Sequence, residues 1–284
     1  MPTADLHMHT TLSDGTFTIR ELISHAAEKE LDVISITDHD RILTEPEAWE
    51  EAKKHNITLI PGIEISSHCD HKSIHILGYF IDKECEIVKD LIKRAQQSRE
   101  DRNHRMIEKF QSNGIDITME KLVNIANGDT IARPHFATAL VELGLAKDIK
   151  DAFNKFISDT GPYFVEHHDI DSEEVISAIK RSGGISSLAH PHTYKLGSDQ
   201  DIEKFIKKLA DQGLDAIEGY YSTYKQYQRD LFAGIAKRHG LMLSGGSDFH
   251  GANKPHIQLG HFEGKEQVFE NFKDLMKEKG FINE

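Results

Sequence analysis

Short apolar segments with the composition of β-strands alternate along this chain with segments of helical periodicity. Such alternation is typical of βαβ units and a parallel sheet. Seven strand segments favour a barrel over a short open sheet. They lie at Asp5–His9, Val33–His39, Thr58–Ile65, Ile74–Phe80, Ile185–His190, Asp215–Tyr221 and Leu241–His250.

The alternation is interrupted at two places. Only Ser66–Ser73 separates the third strand segment from the fourth, which is too short for a crossover helix and indicates a β-hairpin. Residues 84–163 have helical character throughout, beginning with a long polar helix over Glu86–Asn113. We therefore expect an α/β fold, a distorted (β/α)7 barrel built from residues 1–83 and 164–284. A helical insertion at residues 84–163, the cap, could lie over the barrel mouth.

Histidines and carboxylates stand at or near the C-terminal ends of most strand segments. They are His7, His9, His39, Glu64, His190, Asp248 and His250, with His75 at the start of the fourth segment. His7 and His9 point to the same side of a strand because side chains alternate with period two, and Asp248 and His250 repeat that spacing. Strand C-termini meet at a barrel mouth, so these groups predict a divalent metal centre. Nitrogen and oxygen ligands suit Mn²⁺, Fe²⁺ or Zn²⁺.

Charge and composition restrict the partners. The formal net charge of −13 argues against a broad binding surface for long or duplex nucleic acid, which needs a basic face. A small phosphorylated substrate remains compatible, because bound metal ions reverse the field inside a cleft. No apolar run would span a bilayer, the N-terminus has no signal-peptide pattern, and the two cysteines form no metal-binding pair. We expect a cytoplasmic protein, and the sequence does not indicate its oligomeric state.

The ordered motifs DLHMHTTLSDG, TDHD, PGIEIS, AHPH and GSDFHG resemble those of the PHP (polymerase and histidinol phosphatase) family. The resemblance covers nearly the whole chain. It extends in particular to the stand-alone branch that contains nucleoside 3′,5′-bisphosphate phosphatases and short-RNA 5′-3′ exoribonucleases. This resemblance implies two or three divalent metal ions, Mn, Fe or Zn, on nine ligands. The implied ligands are His7, His9 and Asp248 for the first ion, Glu64 as a bridge to the second, His75 and His190 for the second, and Asp14, His39 and His250 for the third.

The ligands implied by the resemblance suggest a reaction. Metal coordination lowers the pKa of bound water to about 7, so a bridging hydroxide would attack phosphorus in line while the metals neutralise the phosphate oxygens. Arg133 is the candidate guanidinium clamp for phosphate. His135 in the same Arg-Pro-His segment and Lys225 are further candidates for substrate binding.

Several other polar residues allow two interpretations. Asp38 either supports a ligating histidine or caps a helix. His192 either donates a proton to the leaving group or is a pocket or surface residue. Glu218 either orients a ligand or substrate or is structural, and Tyr221 either stacks on a base or belongs to the core or rim. The basic residues of the long helix share it with many acids, which favours a solvent-exposed face, although Arg102 or Arg105 could face the underside of the cap. These basic residues are Arg94, Arg99, Arg102 and Arg105.

The sequence therefore predicts a metal-dependent hydrolase acting on a phosphomonoester of a small nucleotide, such as a nucleoside 3′,5′-bisphosphate. The same enzyme could trim short RNA from its 5′ end, because both reactions need a terminal phosphate beside the metals. The alternative enzyme is a histidinol-phosphate phosphatase. The alternative that is not an enzyme is a metal-binding accessory module, a role that PHP domains have within some polymerases.

Overall fold

The computed structural model describes residues 1–70, 72–126, 130–158, 160–165 and 170–283. The described strands are β1 (Ala4–Asp5), β2 (Val33–Ile36), β3 (Thr58–Cys69), β4 (Lys72–Tyr79), β5 (Ile170–Asp171), β6 (Ile185–Leu188), β7 (Ala216–Tyr221) and β8 (Met242–Gly246). The described α-helices are α1 (Ile19–Glu28), α2 (Pro46–Lys54), α3 (Glu86–Gln111), α4 (Met119–Ala126), α5 (Arg133–Glu142), α6 (Ile149–Ala152), α7 (Ser172–Arg181), α8 (Asp199–Asp211), α9 (Gln226–His239) and α10 (Lys265–Glu278).

Seven strands form a nearly closed barrel in the order β1-β2-β3-β4-β6-β7-β8, and the short β5 pairs with β3. The segment after β1 meets the segment after β8, where Asp248 N donates to His7 O at 2.8 Å and His9 N donates to Phe249 O at 2.9 Å. The predicted distorted (β/α)7 barrel is therefore confirmed. Two elements were not predicted: the two-residue β5, and α10, which packs against β8 and β1.

The predicted hairpin is confirmed and is longer than expected. β3 and β4 pair antiparallel from Gly62 opposite Tyr79 to Cys69 opposite Lys72, and β4 also runs antiparallel to β6. The pairs β1-β2, β2-β3, β6-β7 and β7-β8 are parallel. The reversed β4 therefore brings His75 to the mouth near the start of its strand, whereas parallel strands bring their last residues there.

Local sequence signals set the element ends that position the mouth. Thr18 and Glu21 form a capping box at α1, in which Thr18 N donates to Glu21 Oε2 at 2.8 Å. α9 ends at Gly240, whose φ of 68° is left-handed and suits a glycine. β1 and β8 end before their ligand residues, and Asp248 itself has a φ of 58°. Such a conformation is uncommon for a residue with a Cβ, and here it turns the chain at the mouth.

The long helix α3 belongs to two packed clusters. Val88, Leu91 and Ala95 pack in the barrel core, whereas Met106 and Phe110 pack in a separate core formed by the cap helices. Within the predicted helical insertion, α6 is followed directly by a π-helical turn at Phe153–Ile157. The division of the chain at residues 84 and 163 stays a prediction, because α3 links both units. None of the helices in these described ranges is long and apolar enough to cross a lipid bilayer.

Candidate metal centre

Nine side chains with metal-binding atoms converge at the barrel mouth. They are the predicted ligands His7, His9, Asp14, His39, Glu64, His75, His190, Asp248 and His250. His75 is half-buried and the other eight are buried. The ligand atoms fall into four overlapping groups, each spanning no more than 4.8 Å. His9 and His250 share one of these groups, although they lie 241 residues apart in the sequence.

Glu64 stands at the centre of the cluster on β3. Its Oε1 is 2.9 Å from His75 Nδ1 and 3.1 Å from His190 Nε2. Its Oε2 is 3.2 Å from His9 Nε2 and 3.1 Å from His39 Nδ1. The two oxygens therefore face different sets of histidines, which is the placement that a carboxylate needs to bridge two ions.

The spacing of the ligand atoms fits metal coordination. His7 Nε2 and His9 Nε2 are 3.2 Å apart, and Asp248 Oδ1 lies 3.5 Å from the first and 3.4 Å from the second. Ligand atoms about 2.1 Å from one ion are about 3.0–3.4 Å apart in octahedral and tetrahedral sites. In the described part of the chain, buried His39 Nδ1 makes no hydrogen bond although Glu64 Oε2 is near. A divalent ion therefore suits these residues.

A further group lies around Asp14, in the loop after β1. His250 Nε2 is 3.2 Å from Asp14 Oδ1, and His39 Nε2 is 3.7 Å from Asp14 Oδ2. His9 joins this group as well, with Nδ1 3.7 Å from Asp14 Oδ1. His9 thus faces the first group with one ring nitrogen and the Asp14 group with the other.

Residues behind the cluster hold its ligands in place. Glu218 Oε1 is 3.1 Å from His7 Nδ1, and Glu218 Oε2 accepts from His190 N at 2.6 Å. On Asp248, Oδ2 accepts from Tyr221 Oη and from Lys254 Nζ, both at 2.6 Å, so that Oδ1 faces the histidines. Glu218 and Tyr221 therefore contact predicted ligands, which fits the expectation for Glu218 that it orients a ligand. Lys254 was missed by the sequence analysis.

Asp38 holds the loop that carries Asp14. Its carboxylate accepts from Thr10 N at 2.8 Å, from Thr10 Oγ1 at 2.6 Å and from Ser13 Oγ at 2.5 Å. Ser13 Oγ is in turn 3.4 Å from His9 Nδ1. Asp38 therefore acts on the predicted ligands through this loop. Among the described residues it neither contacts a histidine directly nor caps a helix, which are the two roles that the sequence suggested.

The charges within the cluster shift several pKa values. Burial alone would lower the pKa of His9, but its hydrogen bonds to Asp248 and Glu64 and the nearby charges raise it to about 9. Burial raises the pKa of Glu64, but the surrounding histidines outweigh it and hold that pKa well below its usual range. Burial lowers the pKa of His39 and of His250. The ionised carboxylates are thus in the state that divalent metals require, whereas His9 would have to release its proton to bind one.

A cleft of about 740 Å³ lies between the cluster and the cap. Asp14, His39, His75 and His250 form part of its floor. Six basic residues also line it: Lys72, Arg99, Arg102, Arg133, Lys195 and Lys254. Apolar residues line it as well, and they are Ala132, Pro134, Phe153, Phe164 and Val165.

The predicted substrate residues differ in their relation to this cleft. Arg133 begins α5, lines the cleft and has its guanidinium carbon 6.0 Å from the Phe164 ring centroid. His135 is buried, and its Nδ1 accepts from Ala132 N at 3.0 Å. Lys225 is exposed before α9, and His192 is exposed in the 3₁₀ turn Pro191–Tyr194 with its ring 6.2 Å from that of Tyr224. Neither Lys225 nor His192 is among the residues lining the cleft.

The expectation of a solvent-exposed basic face on α3 is wrong for Arg99, and for Arg102 the alternative of a place facing the cleft under the cap is the one that fits. Arg99 and Arg102 have only 7% and 8% of their surface exposed, and both line the cleft. Arg94 follows the expectation, since it is exposed and pairs with Asp90 and Glu174. The reason is that α3 crosses from barrel to cap, so one stretch of its polar face turns into the cleft.

Comparisons with known proteins agree with this geometry. The family model of the PHP domain matches residues 5–284. The 5′-3′ exoribonuclease Rnm of Salmonella typhimurium is 35% identical over 90% of this chain and 87% of its own length. The 3′,5′-nucleoside bisphosphate phosphatase of Chromobacterium violaceum is 31% identical over 93% of this chain and 92% of its own. A Bifidobacterium adolescentis structure, solved as that of a proposed metal-dependent phosphoesterase, superposes with a TM-score of 0.84 at 31% identity, covering 95% of this chain and 96% of that one.

Proposed function

Because this chain belongs to the PHP domain family and is a metal-dependent phosphoesterase, we propose that it hydrolyses the 3′-phosphomonoester of a nucleoside 3′,5′-bisphosphate. The products would be a nucleoside 5′-monophosphate and orthophosphate. The related Chromobacterium violaceum protein carries the name of this phosphatase activity. The proposal concerns the substrate, and it rests on the cleft above the candidate metal centre.

The observation that carries the proposal is the sign of the charge in this cleft. Six basic residues line it beside one carboxylate, Asp14, although the whole chain has a formal net charge of −13. Guanidinium groups form charge-assisted, bidentate hydrogen bonds with phosphate oxygens. Arg99 and Lys254 are paired with the buried carboxylates of Asp40 and Asp248, but the other four cations still exceed what one phosphate needs, so the cleft suits a ligand with two phosphate groups.

The apolar wall of the cleft favours a nucleoside between those phosphates. Phe153 and Phe164 lie on the cap side, near Pro134. Bases stack on aromatic side chains with little preference for sequence. Histidinol phosphate has one phosphate and a small imidazole, so it would contact less of this wall and fewer of the cations than a nucleoside bisphosphate would.

Different groups of residues would have different roles in the reaction. The nine predicted ligands would hold two or three divalent ions, which supply a water nucleophile at neutral pH and neutralise charge on the phosphate. Glu218 and Tyr221 keep His7 and Asp248 aimed at that centre. Arg133 would bind phosphate from the cap, and the proton that the water loses would balance the proton that the departing 3′-oxygen gains.

A second candidate activity is 5′-3′ exonuclease action on short RNA. The Salmonella typhimurium relative is named as such an enzyme. A 5′-terminal phosphate held by the same cations would place the first internucleotide phosphate near the metal centre. The role of an accessory metal-binding module has no such support, and the cytoplasmic location stays a prediction.

The test is a product analysis on Mn²⁺-loaded protein. Adenosine 3′,5′-bisphosphate, histidinol phosphate and a 5′-phosphorylated RNA trimer would be compared at equal concentration. We expect AMP and orthophosphate from the bisphosphate, with kcat/KM at least about tenfold above that for histidinol phosphate, since one lost charge-assisted contact gives about 1.5–3 kcal/mol. A preference for histidinol phosphate would overturn the proposal, and release of mononucleotides from RNA alone would favour the exonuclease.

A further inference from the structure

A buried ion pair joins the cap to the barrel beside the candidate metal centre. Arg99 on α3 donates from Nε to Asp40 Oδ2 at 3.0 Å, and its terminal nitrogen donates to the same oxygen and to Ser66 Oγ, the latter at 2.8 Å. The side chains of Arg99 and Asp40 are 8% and 0% exposed. A buried carboxylate without a counter-charge is strongly unfavourable, so each of these charges depends on the other.

Asp40 is fixed to the strand that carries Glu64. Asp40 N donates to Glu64 O at 2.8 Å, and Asp40 Oδ1 accepts from Ser66 N at 2.8 Å. Asp40 also follows His39 directly and has a left-handed φ of 52°. A non-glycine residue keeps such a conformation only where its surroundings hold it. The position of Asp40 therefore determines the direction of the backbone at His39, between the end of β2 and Glu64.

The same helix holds the cap side of the cleft. Gln96 Nε2 donates to Asp40 O at 3.0 Å, one turn before Arg99. One turn after Arg99, Asn103 Nδ2 donates to Ile131 O at 3.0 Å, two residues before Arg133. The backbone of α3 thus connects a hydrogen bond to the segment before Arg133 with the hydrogen bonds to Asp40, which follows His39.

We propose that Arg99 is a positioning residue that sets the geometry of His39 and Glu64 for the divalent ions. It acts through Asp40 and Ser66, and it ties the position of the cap to the metal centre. This role rests on the ligand set proposed above and is independent of which phosphate ester is the substrate. It predicts that loss of Arg99 weakens metal binding in the absence of any substrate.

The experiment compares Arg99→Met with Arg94→Met. Both remove a guanidinium of α3 that pairs with an acid of the barrel, but the Arg94 pair with Glu174 is about half exposed and is remote from the ligands. Each metal-free protein is titrated with Mn²⁺ while free Mn²⁺ is followed by electron paramagnetic resonance. We expect Arg99→Met to weaken at least one Mn²⁺ site by about 10–100-fold, the usual effect of removing an outer partner of a ligand, and Arg94→Met to bind as the parent does.

Turnover gives a second readout. In Arg99→Met, kcat should fall and should recover in part at high Mn²⁺, with a smaller change in KM. Unchanged Mn²⁺ binding together with a raised KM would overturn the proposal and make Arg99 a substrate contact. Should Arg99→Met not fold, Arg99→Lys and Ser66→Ala keep both charges and should still weaken Mn²⁺ binding by several fold, and parent-like binding in both would also overturn it. Absence of Mn²⁺ binding by the parent would instead contradict the proposed ligands.

Discussion

The cleft has two sides that are built in different ways. On the barrel side, functional groups stand on or directly after strands, and they contact one another. On the cap side, Arg99, Arg102 and Arg133 stand on helices and turn into the cleft from a second unit. The barrel side contains fixed nitrogen and oxygen ligands, whereas the cap side contributes positive charge and apolar surface. The comparison predicts that chemistry and recognition are separated, with Arg99 as the link between the two sides, so substitutions elsewhere on each side should affect only metal binding or only substrate binding.

The largest effect is expected on the barrel side, at Glu64. Glu64→Gln keeps the size of the side chain but removes the charge that both sets of histidines face. We expect kcat to fall at least about a hundredfold, the usual result of removing one group that stabilises developing charge. Metal content, measured after gel filtration, should fall as well. The exposed Glu120→Gln on α4 is the control and should behave as the parent. Parent-like activity of Glu64→Gln would contradict the proposed centre.

The matching change on the cap side is Arg133→Met. We expect KM for adenosine 3′,5′-bisphosphate to rise about 10–100-fold, because a charge-assisted hydrogen bond contributes about 1.5–3 kcal/mol. Metal content should stay at the parent level, since Arg133 contacts the cleft and the Phe164 ring. The largely exposed Arg20 supplies the control variant Arg20→Met. Loss of metal from Arg133→Met would break the separation of the two sides.

A smaller effect is expected behind the ligands. Tyr221→Phe removes the hydroxyl that donates to Asp248 Oδ2 at 2.6 Å and leaves Lys254 as its other partner. We expect Mn²⁺ affinity to fall about tenfold, with KM unchanged at saturating Mn²⁺. Calorimetric titration of the metal-free protein measures this. A variant with parent affinity for Mn²⁺ but a raised KM would instead place Tyr221 against the substrate.

The pH dependence of stability and of metal binding tests the barrel side, because the shifted pKa values belong to its histidines. The raised pKa of His9, about 9, stabilises the metal-free protein fully below the ordinary histidine pKa of 6.5, and this contribution is lost as pH rises through about 9. The pKa values of His39 and His250 are lowered in the folded state. Above pH 6.5 both residues are therefore mostly neutral in the folded and the unfolded protein, so they do not change the stability there. Protons compete with metal for His9, so Mn²⁺ affinity should rise over the same interval.

We therefore expect the Tm of chelated protein to fall by several degrees between pH 6.5 and 9 while Mn²⁺ binding tightens. Differential scanning calorimetry at each pH, with and without Mn²⁺, measures both trends. A Tm of the chelated protein that stays level or rises across this interval would show that His9 is neutral in the folded state.

The smallest effects are expected at His192 and Lys225. Both side chains are exposed and lie outside the lining of the cleft, so His192→Gln and Lys225→Met should change kcat/KM by less than about threefold. Steady-state kinetics on the bisphosphate measures this. A hundredfold loss of kcat in His192→Gln would instead establish the proton donor considered from the sequence, because general acids contribute about 10²–10⁴-fold.

The residues of the barrel side could be predicted from the sequence because short sequence patterns determine their positions. Period two places His7 and His9 together, and the short Ser66–Ser73 connection places His75 beside Glu64. Asp14 came from the resemblance alone, because an aspartate before glycine is equally common in turns. The strands end earlier than predicted where left-handed residues such as Asp248 turn the chain, and a run of apolar residues does not reveal that turn.

The cap side depends on contacts between distant segments. The polar face of α3 carries both arginines and acids, and only the tertiary structure decides that Arg99 meets Asp40 while Arg94 meets Glu174. Lys254 lies in a loop after β8 with no periodicity, so no sequence pattern signals its contact with Asp248. Arg133 was identified by residue type and by its position in the insertion, and its placement in the cleft required the fold of the cap.

The most direct test of the two-sided cleft is a crystal structure with Mn²⁺ and the reaction products AMP and orthophosphate. Anomalous scattering at the manganese edge locates the ions without assumptions about the protein. We predict peaks within coordination distance of Glu64, with Asp248 and His75 on its two sides, and a phosphate group beside Arg133. Manganese peaks away from Glu64, or AMP bound outside the cleft between barrel and cap, would contradict the proposed division between metal centre and substrate-binding cap.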